Sequence, residues 1–336
     1  MPVRNGAKRL ERAVESCLAQ TLTDFELILV DDHSTDETPE IIKRFKKADS
    51  RIRALECRSP AGGLVPALNT ALEASQGEFV ARMDSDDRSY PERFAAQVSF
   101  LRENQAVAVS SCQVRILSEA PYGAGEPAGG FKKYETWLNG LLEPGQIARE
   151  RFIESPVAHP SVMMRRGALE GVGGYAARGW AEDYDLWLRM MEEGMLFAKI
   201  GKVLMDWHDR PDRHSRTSPD FSQEAFMKAK AHYLGRLRRV RREGVVIAGA
   251  GPTGKKMAGL LGLEGAKVHA FLDVHPRRIG LEIQGVRVFS EEGFRAPEGT
   301  HPVYLAAVGQ PGRREAIRKI FGERGMKEGE DFFCIA

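Results

Sequence analysis

At 336 residues the chain is long enough for two domains, because a single core rarely grows past roughly 250–300 residues. Hydrophobic residues make up 42% and charged residues 29%, and a net charge of +2 is too balanced to argue for nucleic-acid binding. No apolar run approaches the ~20 residues of a membrane-spanning helix, and MPVRNGAKRLER lacks the apolar centre of a signal peptide.

Cytoplasmic residence is therefore expected, with contact at the inner face of a membrane left open. The four cysteines (Cys17, Cys57, Cys112 and Cys334) include no C-x-x-C pair, which fits reduced thiols better than disulfides or a zinc site.

Along the chain, helical and strand-like patterns alternate. Leu10, Ala13, Val14, Cys17 and Leu18 recur at helical spacing, and residues 25–30 form a short apolar strand. Thr38 is placed to cap a second helix with Pro39 in its first turn and Ile41, Ile42 and Phe45 facing inward. A strand at 52–55 follows, then a helix carrying Leu64, Leu68 and Leu72 that stops by Gly77. Residues 79–83 are the next buried strand, and it runs into Asp84-Ser85-Asp86-Asp87.

Strands alternating with helices imply a mostly parallel, doubly wound α/β sheet, whose ligands bind beyond the carboxyl ends of its strands. Asp31, Asp32 and the 84–87 run all lie at such ends. The alternation weakens over 118–156, where PYGAGEPAGG reads as a loop. The stretch 219–243 is basic and helix-like, ending in RLRRVRREG, and a second βαβ pattern then begins with strands at 245–248 and 268–272. The expected division is a first domain over 1–217, a basic helical linker over 218–243 and a smaller domain over 244–336.

Carboxylates crowded at a strand end repel one another unless a cation lies between them. Asp84 and Asp86 flank one residue, so both could reach a hard cation such as Mg²⁺ or Mn²⁺, which is commonly held by one or two carboxylates plus substrate phosphates. The plainer alternative is an acidic turn that caps the following helix.

EFVARMDSDDRSYPERF resembles the D-x-D region of the family 2 glycosyltransferases, which have the GT-A fold. MPVRN and FELILVDDHSTDET resemble that family's opening P-V-x-N and V-D-D-x-S-T-D signatures. HPSVMMRRGALEGVGGYAARGWAEDYDLWLR resembles its acceptor-side stretch with the E-D motif. The resemblance implies a GT-A-type doubly wound mixed sheet and an inverting transferase using a nucleotide diphosphate sugar, usually UDP-linked, a divalent metal and a glycan or lipid-linked acceptor. By position it implies that Asp31 accepts a hydrogen bond from the base, with Asp32 beside it and Pro2 and Asn5 by the same pocket. Asp84 would lie near ribose and metal, Asp86 would be the principal metal ligand and Asp183 the general base.

That last role makes chemical sense, since displacement at the anomeric carbon needs a base on the acceptor side, and Trp180, Tyr184 and Trp187 supply apolar surroundings that raise a carboxyl. Glu182, Asp183 and Asp185 equally suit a helix start, where acids favour the dipole; Asp185 is the other candidate base. His159 reads as a structural or acceptor-pocket residue. His208 and His214 lie among Arg210, Arg213 and Arg216, where His208 is a candidate metal ligand and Arg213 a candidate diphosphate clamp, against a plain polar loop.

In the last domain VVIAGAGPTG fits G-x-G-x-x-G after a strand, through Gly249, Gly251 and Gly254, and Asp273 follows Gly249 by 24 residues. The pattern suits binding of a nucleotide or dinucleotide, and equally a Rossmann-shaped scaffold with no ligand. FLDVHPRRIGLEIQGVRV also resembles the small Rossmann-like N-terminal domain of bacterial sugar acyltransferases. No tyrosine–lysine pair for hydride transfer is visible, which weakens the alternative of an NAD(P)-dependent nucleotide-sugar-modifying enzyme. A non-catalytic sugar-nucleotide-binding protein is the other alternative.

The cations of 228–242 suit a solvated linker or an anionic membrane surface. The family normally has a full central strand before its P-V-x-N, so further apolar residues are expected ahead of Met1.

Overall fold

In the computed structural model, residues 1–118, 129–310 and 312–336 are described. They form two compact units. The first spans Met1–Ile147, Pro156–Arg178 and Glu182–Thr217. The second contains Ala148–Ser155, Gly179–Ala181 and Ser218–Ala336.

The first unit begins with β1 (Pro2–Val3), α1 (Leu10–Leu18), β2 (Leu27–Asp31), α2 (Thr38–Ala48), β3 (Ile52–Glu56) and α3 (Leu64–Ala74). β1, β2 and β3 make a parallel three-stranded sheet, with Pro2 opposite Val30 and Asp31 opposite Glu56. Leu10, Ala13, Val14 and Cys17 bury the inner face of α1, as their spacing requires. The helix expected to be capped by Thr38 instead contains it: Asp36 accepts the Thr38 amide at 3.0 Å, and the Thr38 hydroxyl accepts the Gly6 amide at 2.9 Å.

Then come β4 (Phe79–Ala81), β5 (Arg88–Ser89), α4 (Arg93–Glu103), β6 (Val107–Ser118), α5 (Gly129–Gly140), α6 (Pro144–Glu150), β7 (Met163–Arg165), α7 (Arg166–Gly171), α8 (Glu182–Glu192), β8 (Leu196–Asp209) and α9 (His214–Thr217). A mixed five-stranded sheet runs β4-β7-β6-β8-β5. The first unit's strands thus pair as two sheets, and β1, central by resemblance, is a two-residue edge strand. Of the loop read at 121–130, residues 121–128 lie outside the described residues, while Gly129 and Gly130 begin α5.

One buried polar group joins these layers. Arg93 on α4 is fully buried and donates to the Arg82 carbonyl at 2.7 Å, the Val162 carbonyl at 3.3 Å and Gln97 at 3.0 Å. Gln97 donates onward to the Ser161 and Ser110 carbonyls. Interior carbonyls outside a ladder need such donors, or the segments bearing them could not be buried.

The second unit continues with α10 (Gln223–Arg236), α11 (Arg238–Glu243), β9 (Val245–Ala248), α12 (Pro252–Leu263), β10 (Val268–Leu272), β11 (Glu282–Ile283), β12 (Val286–Phe289), β13 (Val303–Ala306), α13 (Arg313–Glu323) and β14 (Phe332–Cys334). Its sheet order is β11-β12-β10-β9-β13-β14, parallel except for β11. The stretch expected to be a linker is two helices of this unit, with Ala229, Ala231, Leu234 and even Lys230 buried. Lys230 donates to the carbonyls of Ile153 and Ile335, and Arg318 bonds Glu150 and Glu328, which fastens 148–155 into this unit and makes the division discontinuous. All four cysteines are buried and free, and no described helix is long and apolar enough to cross a membrane.

Replacing Arg93 by alanine strips donors from two interior carbonyls and from Gln97, and should lower stability by about 3 kcal/mol. Urea denaturation followed by far-UV circular dichroism reads this directly; an unchanged midpoint would show that the buried network adds nothing.

Candidate functional site

The aspartate run sits where two constraints meet. The chain leaves β4 with the Arg82 amide bonded to the Val162 carbonyl, and Arg93 holds the Arg82 carbonyl from the other side. Directly after the run's last aspartate, β5 pairs antiparallel with β8, Arg88 opposite Asp206 and Ser89 opposite Met205. The intervening turn is thereby pressed against the end of β8, and Asp87 accepts the His208 amide at 2.7 Å. Carboxylate oxygens of Asp84, Asp86 and Asp87 all lie within 4.8 Å of one another.

Three guanidiniums offset this crowding. Arg82 donates to one Asp84 oxygen at 2.6 Å and Arg213 to the other at 3.0 Å. Arg213 also lies 3.6 Å from Asp87, donates to the His208 carbonyl at 3.0 Å and stacks 4.8 Å over Trp207. Arg210 donates to Asp86, and Arg12 to the Asp86 main-chain carbonyl at 2.7 Å. Burial alone would raise the Asp84 carboxyl, but Arg82 and Arg213 prevail and hold it well below the ordinary range. Asp87 goes the other way: burial, reinforced by the charge of Asp84 and only partly opposed by Arg213, pushes it up to about 7.

The donor set suits a hard divalent ion, being all carboxylate oxygen and convergent. Among the described residues the Asp84 and Asp86 side chains hydrogen-bond to guanidiniums alone, whereas Asp87 is also tied to the β8 backbone. The imidazole of His208 is not in this group; the residue enters through its main-chain amide and carbonyl. His214 is exposed at the start of α9.

The first acidic pair divides its work. Asp31 ends β2 half-buried, within 3.4 Å of the Ser34 amide. Asp32 is buried and both its oxygens accept the Gly63 amide at 2.9 Å, so its side chain shapes the 62–63 turn. Cys57 and His33 lie near Asp32, where burial and the Asp32 charge push the thiol up and keep it protonated. Asn5, in a left-handed conformation at φ 50°, accepts the Thr35 amide at 2.8 Å and so pins the loop after Asp31. Pro2 is buried in β1.

On the acceptor-side stretch, α8 opens with Glu182, Asp183 and Asp185 in its first turn. Asp183 is half-buried; burial, then the neighbouring charge of Glu182, push its carboxyl up to about 7. Asp185 is fully buried and held by Arg189 at 2.7 Å and Arg178 at 3.5 Å. The two candidates therefore separate: Asp185 is occupied by cations, and Asp183 has no ion pair among the described residues. Beneath them His159 sits 3.4 Å from Glu182 and 3.0 Å from the Tyr175 hydroxyl, and burial together with Arg82 drops it to about 3, so it is neutral. Arg82 and His159 lie within electrostatic reach of both Asp84 and Asp183.

Sequence reasoning missed Arg82 and Arg12. A charged residue inside the apolar strand 79–83 was the available signal for Arg82; nothing in spacing links Arg12 to Asp86.

In the second unit Gly249 has φ 115°, and a Cβ on Gly254 would meet the Gly249 carbonyl at 2.0 Å, so both positions need glycine. Asp273 accepts the Ala250 amide at 2.9 Å, the His275 amide at 2.8 Å and Arg278 at 3.0 Å, bracing this turn. Gly251 precedes α12, with Arg278 nearby.

The model of the family described as Glycosyl transferase family 2 matches residues 1–173. The chain is 31% identical over 226 residues to the putative glycosyltransferase EpsE of Bacillus subtilis, covering 66% of this chain and 76% of that one. It is 31% identical over 198 residues to the amylovoran biosynthesis glycosyltransferase AmsE of Erwinia amylovora, covering 59% and 70%. Among solved structures, S. aureus TarS 1–349 in complex with UDP-GlcNAc aligns with a TM-score of 0.54 at 19% identity, covering 77% of this chain and 70% of that chain. The mannosyltransferase PcManGT of Pyrobaculum calidifontis, in complex with GDP-Man and Mn²⁺, aligns at 0.50 and 21%, covering 70% and 60%.

Because the Asp183 carboxyl is raised to about 7 in the fold, it stays protonated there while the unfolded chain's is ionised. It thus opposes folding increasingly as pH rises from the ordinary carboxylate range to about 7. Asp183→Asn should therefore melt higher than the parent at pH 8. Asp185→Asn should lose about 3 kcal/mol, having left Arg189 and Arg178 without their buried partner. Thermal melts of both variants check the contrast.

Proposed function

The chain belongs to glycosyltransferase family 2 and has the GT-A fold, and on that premise we propose an inverting transferase that moves a sugar from a nucleotide diphosphate sugar, UDP-linked, to a hydroxyl of a cell-surface glycan or lipid-linked acceptor. The pathway named for the amylovoran relative and the UDP-GlcNAc held by a structural neighbour support the acceptor and donor classes. Nucleotide sugars are met in the cytoplasm, which is where this reading puts the reaction.

The observation that carries it is the contrast between two acids that both lie within electrostatic reach of Arg82 and His159. On one side Asp84 is kept ionised among guanidiniums; on the other Asp183 titrates near neutrality with no cation bound to it. Displacement at an anomeric carbon calls for one carboxyl that can take up a proton near neutrality and another that stays ionised to hold cationic charge at the leaving diphosphate. Asp183 takes the proton of the acceptor hydroxyl as that oxygen bonds to the anomeric carbon. The bond to the diphosphate oxygen breaks on the opposite face, its electron pair leaves with the nucleoside diphosphate, and the sugar's configuration inverts.

Arg213 and Arg210 supply positive charge beside the leaving group. A divalent ion held by Asp84 and Asp86 would add Lewis-acid charge on the same diphosphate. Asp31 accepts from the base, while Asn5 and Asp32 hold the loops around it; His208 serves through its backbone.

For the second unit the reading is narrower. Its glycine turn and the start of α12 suit a pyrophosphate. Asp273 is already bonded to Ala250, His275 and Arg278, which disfavours the ribose contact of a dinucleotide. Of the cations of α10 and α11, Arg236, Arg238 and Arg241 are exposed, but Lys230 is buried and Lys228, Arg239 and Arg242 are paired with acids, which weakens a purely electrostatic membrane contact. Anionic liposomes should leave the protein in the supernatant at physiological salt.

A panel of nucleotide sugars tested by thermal shift should stabilise the protein most for a UDP-sugar together with Mn²⁺; stabilisation by NAD(P)H alone would overturn the reading. Asp183→Asn should cut kcat by about 10²–10⁴-fold with KM little changed. In the parent, the rate should climb with pH through about 7 as Asp183 loses its proton, and this limb should vanish in the variant.

A further inference from the structure

We infer that Arg210 is a resident counter-cation on Asp86 which a divalent ion must displace and which the donor's diphosphate then takes over, so that metal and donor bind interdependently. The inference rests on the function proposed above.

The three arginines around the aspartates are not equally anchored. Arg82 is 5% exposed and fixed on Asp84. Arg213 is held by Asp84, Asp87, the His208 carbonyl and the face of Trp207 together. Arg210 has Asp86 and, at 2.8 Å, Asp212, whose side chain is 71% exposed. It also lies among like charges, within electrostatic reach of Arg9 and Arg213. The backbone of Asp86 is separately secured by Arg12 at its carbonyl. The side-chain partner of Asp86 can thus change while the residue stays in place.

Physical chemistry then sets the order of exchange. A divalent ion on Asp84 and Asp86 brings like charge against every guanidinium bound to those carboxylates, and of these Arg210 is the least anchored. Metal binding alone must therefore break the Arg210–Asp86 pair and leave Arg210 with the exposed Asp212. When a diphosphate is present, the freed guanidinium gains a better partner, because its planar fork matches phosphate oxygens bidentately. The exchange then conserves the number of charge pairs: Arg210 moves from carboxylate to phosphate as the ion moves onto the carboxylate. By linkage, the donor must raise metal affinity by the same factor that the metal raises donor affinity.

The test is titration of the full chain with Mn²⁺, free ion being read by electron paramagnetic resonance, with and without saturating UDP and with the Mn²⁺–UDP complex in buffer subtracted. The parent should bind Mn²⁺ weakly alone and about ten-fold or more tighter with UDP. Arg210→Ala and the closer isostere Arg210→Gln should each bind Mn²⁺ alone about ten-fold tighter than the parent and gain correspondingly less from UDP. Arg210→Lys should keep the coupling. Melting curves identify any variant that fails to fold, and either neutral substitution suffices. Equal Mn²⁺ affinity in the parent and the neutral variants would overturn the inference and leave the metal site standing. Failure of every form to bind Mn²⁺ even with UDP would remove the metal from the proposed function and the inference with it.

Discussion

The site depends on the burial of a cation that touches no carboxylate. Arg93 lies inside α4, and among the described residues its hydrogen bonds go to carbonyls, a glutamine and methionine sulfurs, with its guanidinium over the Phe94 ring. Burial weakens its hold on its proton, yet its donors satisfy the Arg82 and Val162 carbonyls where the chain leaves β4. The acidic run begins two residues later. A turn carrying three acids would be the first part of such a fold to open, since like charges favour solvent. Arg93 holds its root, and Arg82, Arg210 and Arg213 compensate its charge.

The second constraint is the long parallel pairing of β6 with β8. Register shifts near Cys112 and Gln113 carry it past Gly201 and Lys202, and it continues to Ser118 opposite Asp209. That length delivers His208, Arg210 and Arg213 to a turn more than a hundred residues earlier in the chain. The β5–β8 pairing closes the loop from the other side. Asp87, whose carboxylate receives the His208 amide, is therefore as much a joint of the scaffold as a member of the acidic cluster.

Charge environments, more than the acids themselves, assign the roles. Asp31 and Asp32 are neighbours, but one stays half-exposed at a strand end while the other is turned inward onto Gly63. Asp183 and Asp185 share one helical turn, yet two arginines claim only the second. Asp183 is raised mainly by burial and by Glu182; the acid beside it, rather than aromatic surroundings alone, adds to the effect. In the second unit Asp273 is drawn to the backbone of the glycine turn, so a motif of the right spacing holds an acid already committed elsewhere.

Much of this was legible in order along the chain. Apolar periodicity marks α1, β2, α3 and β4, because an element that buries one face must repeat at its own period. Acids at strand ends and the ordered family motifs marked Asp31, Asp84, Asp86 and Asp183, and with them the transferase family. What spacing could not reveal were contacts that exist only once distant segments meet: Arg12 on the Asp86 carbonyl, Arg210 on its side chain, and Glu150 bonded to Arg318 in the second unit. Periodicity reports which face of an element is apolar, and so determines local structure and the identity of the candidate acids. Which acid is ionised, which is compensated and which keeps its proton depends on burial and on charges brought from elsewhere in the chain, and only the tertiary structure decides those.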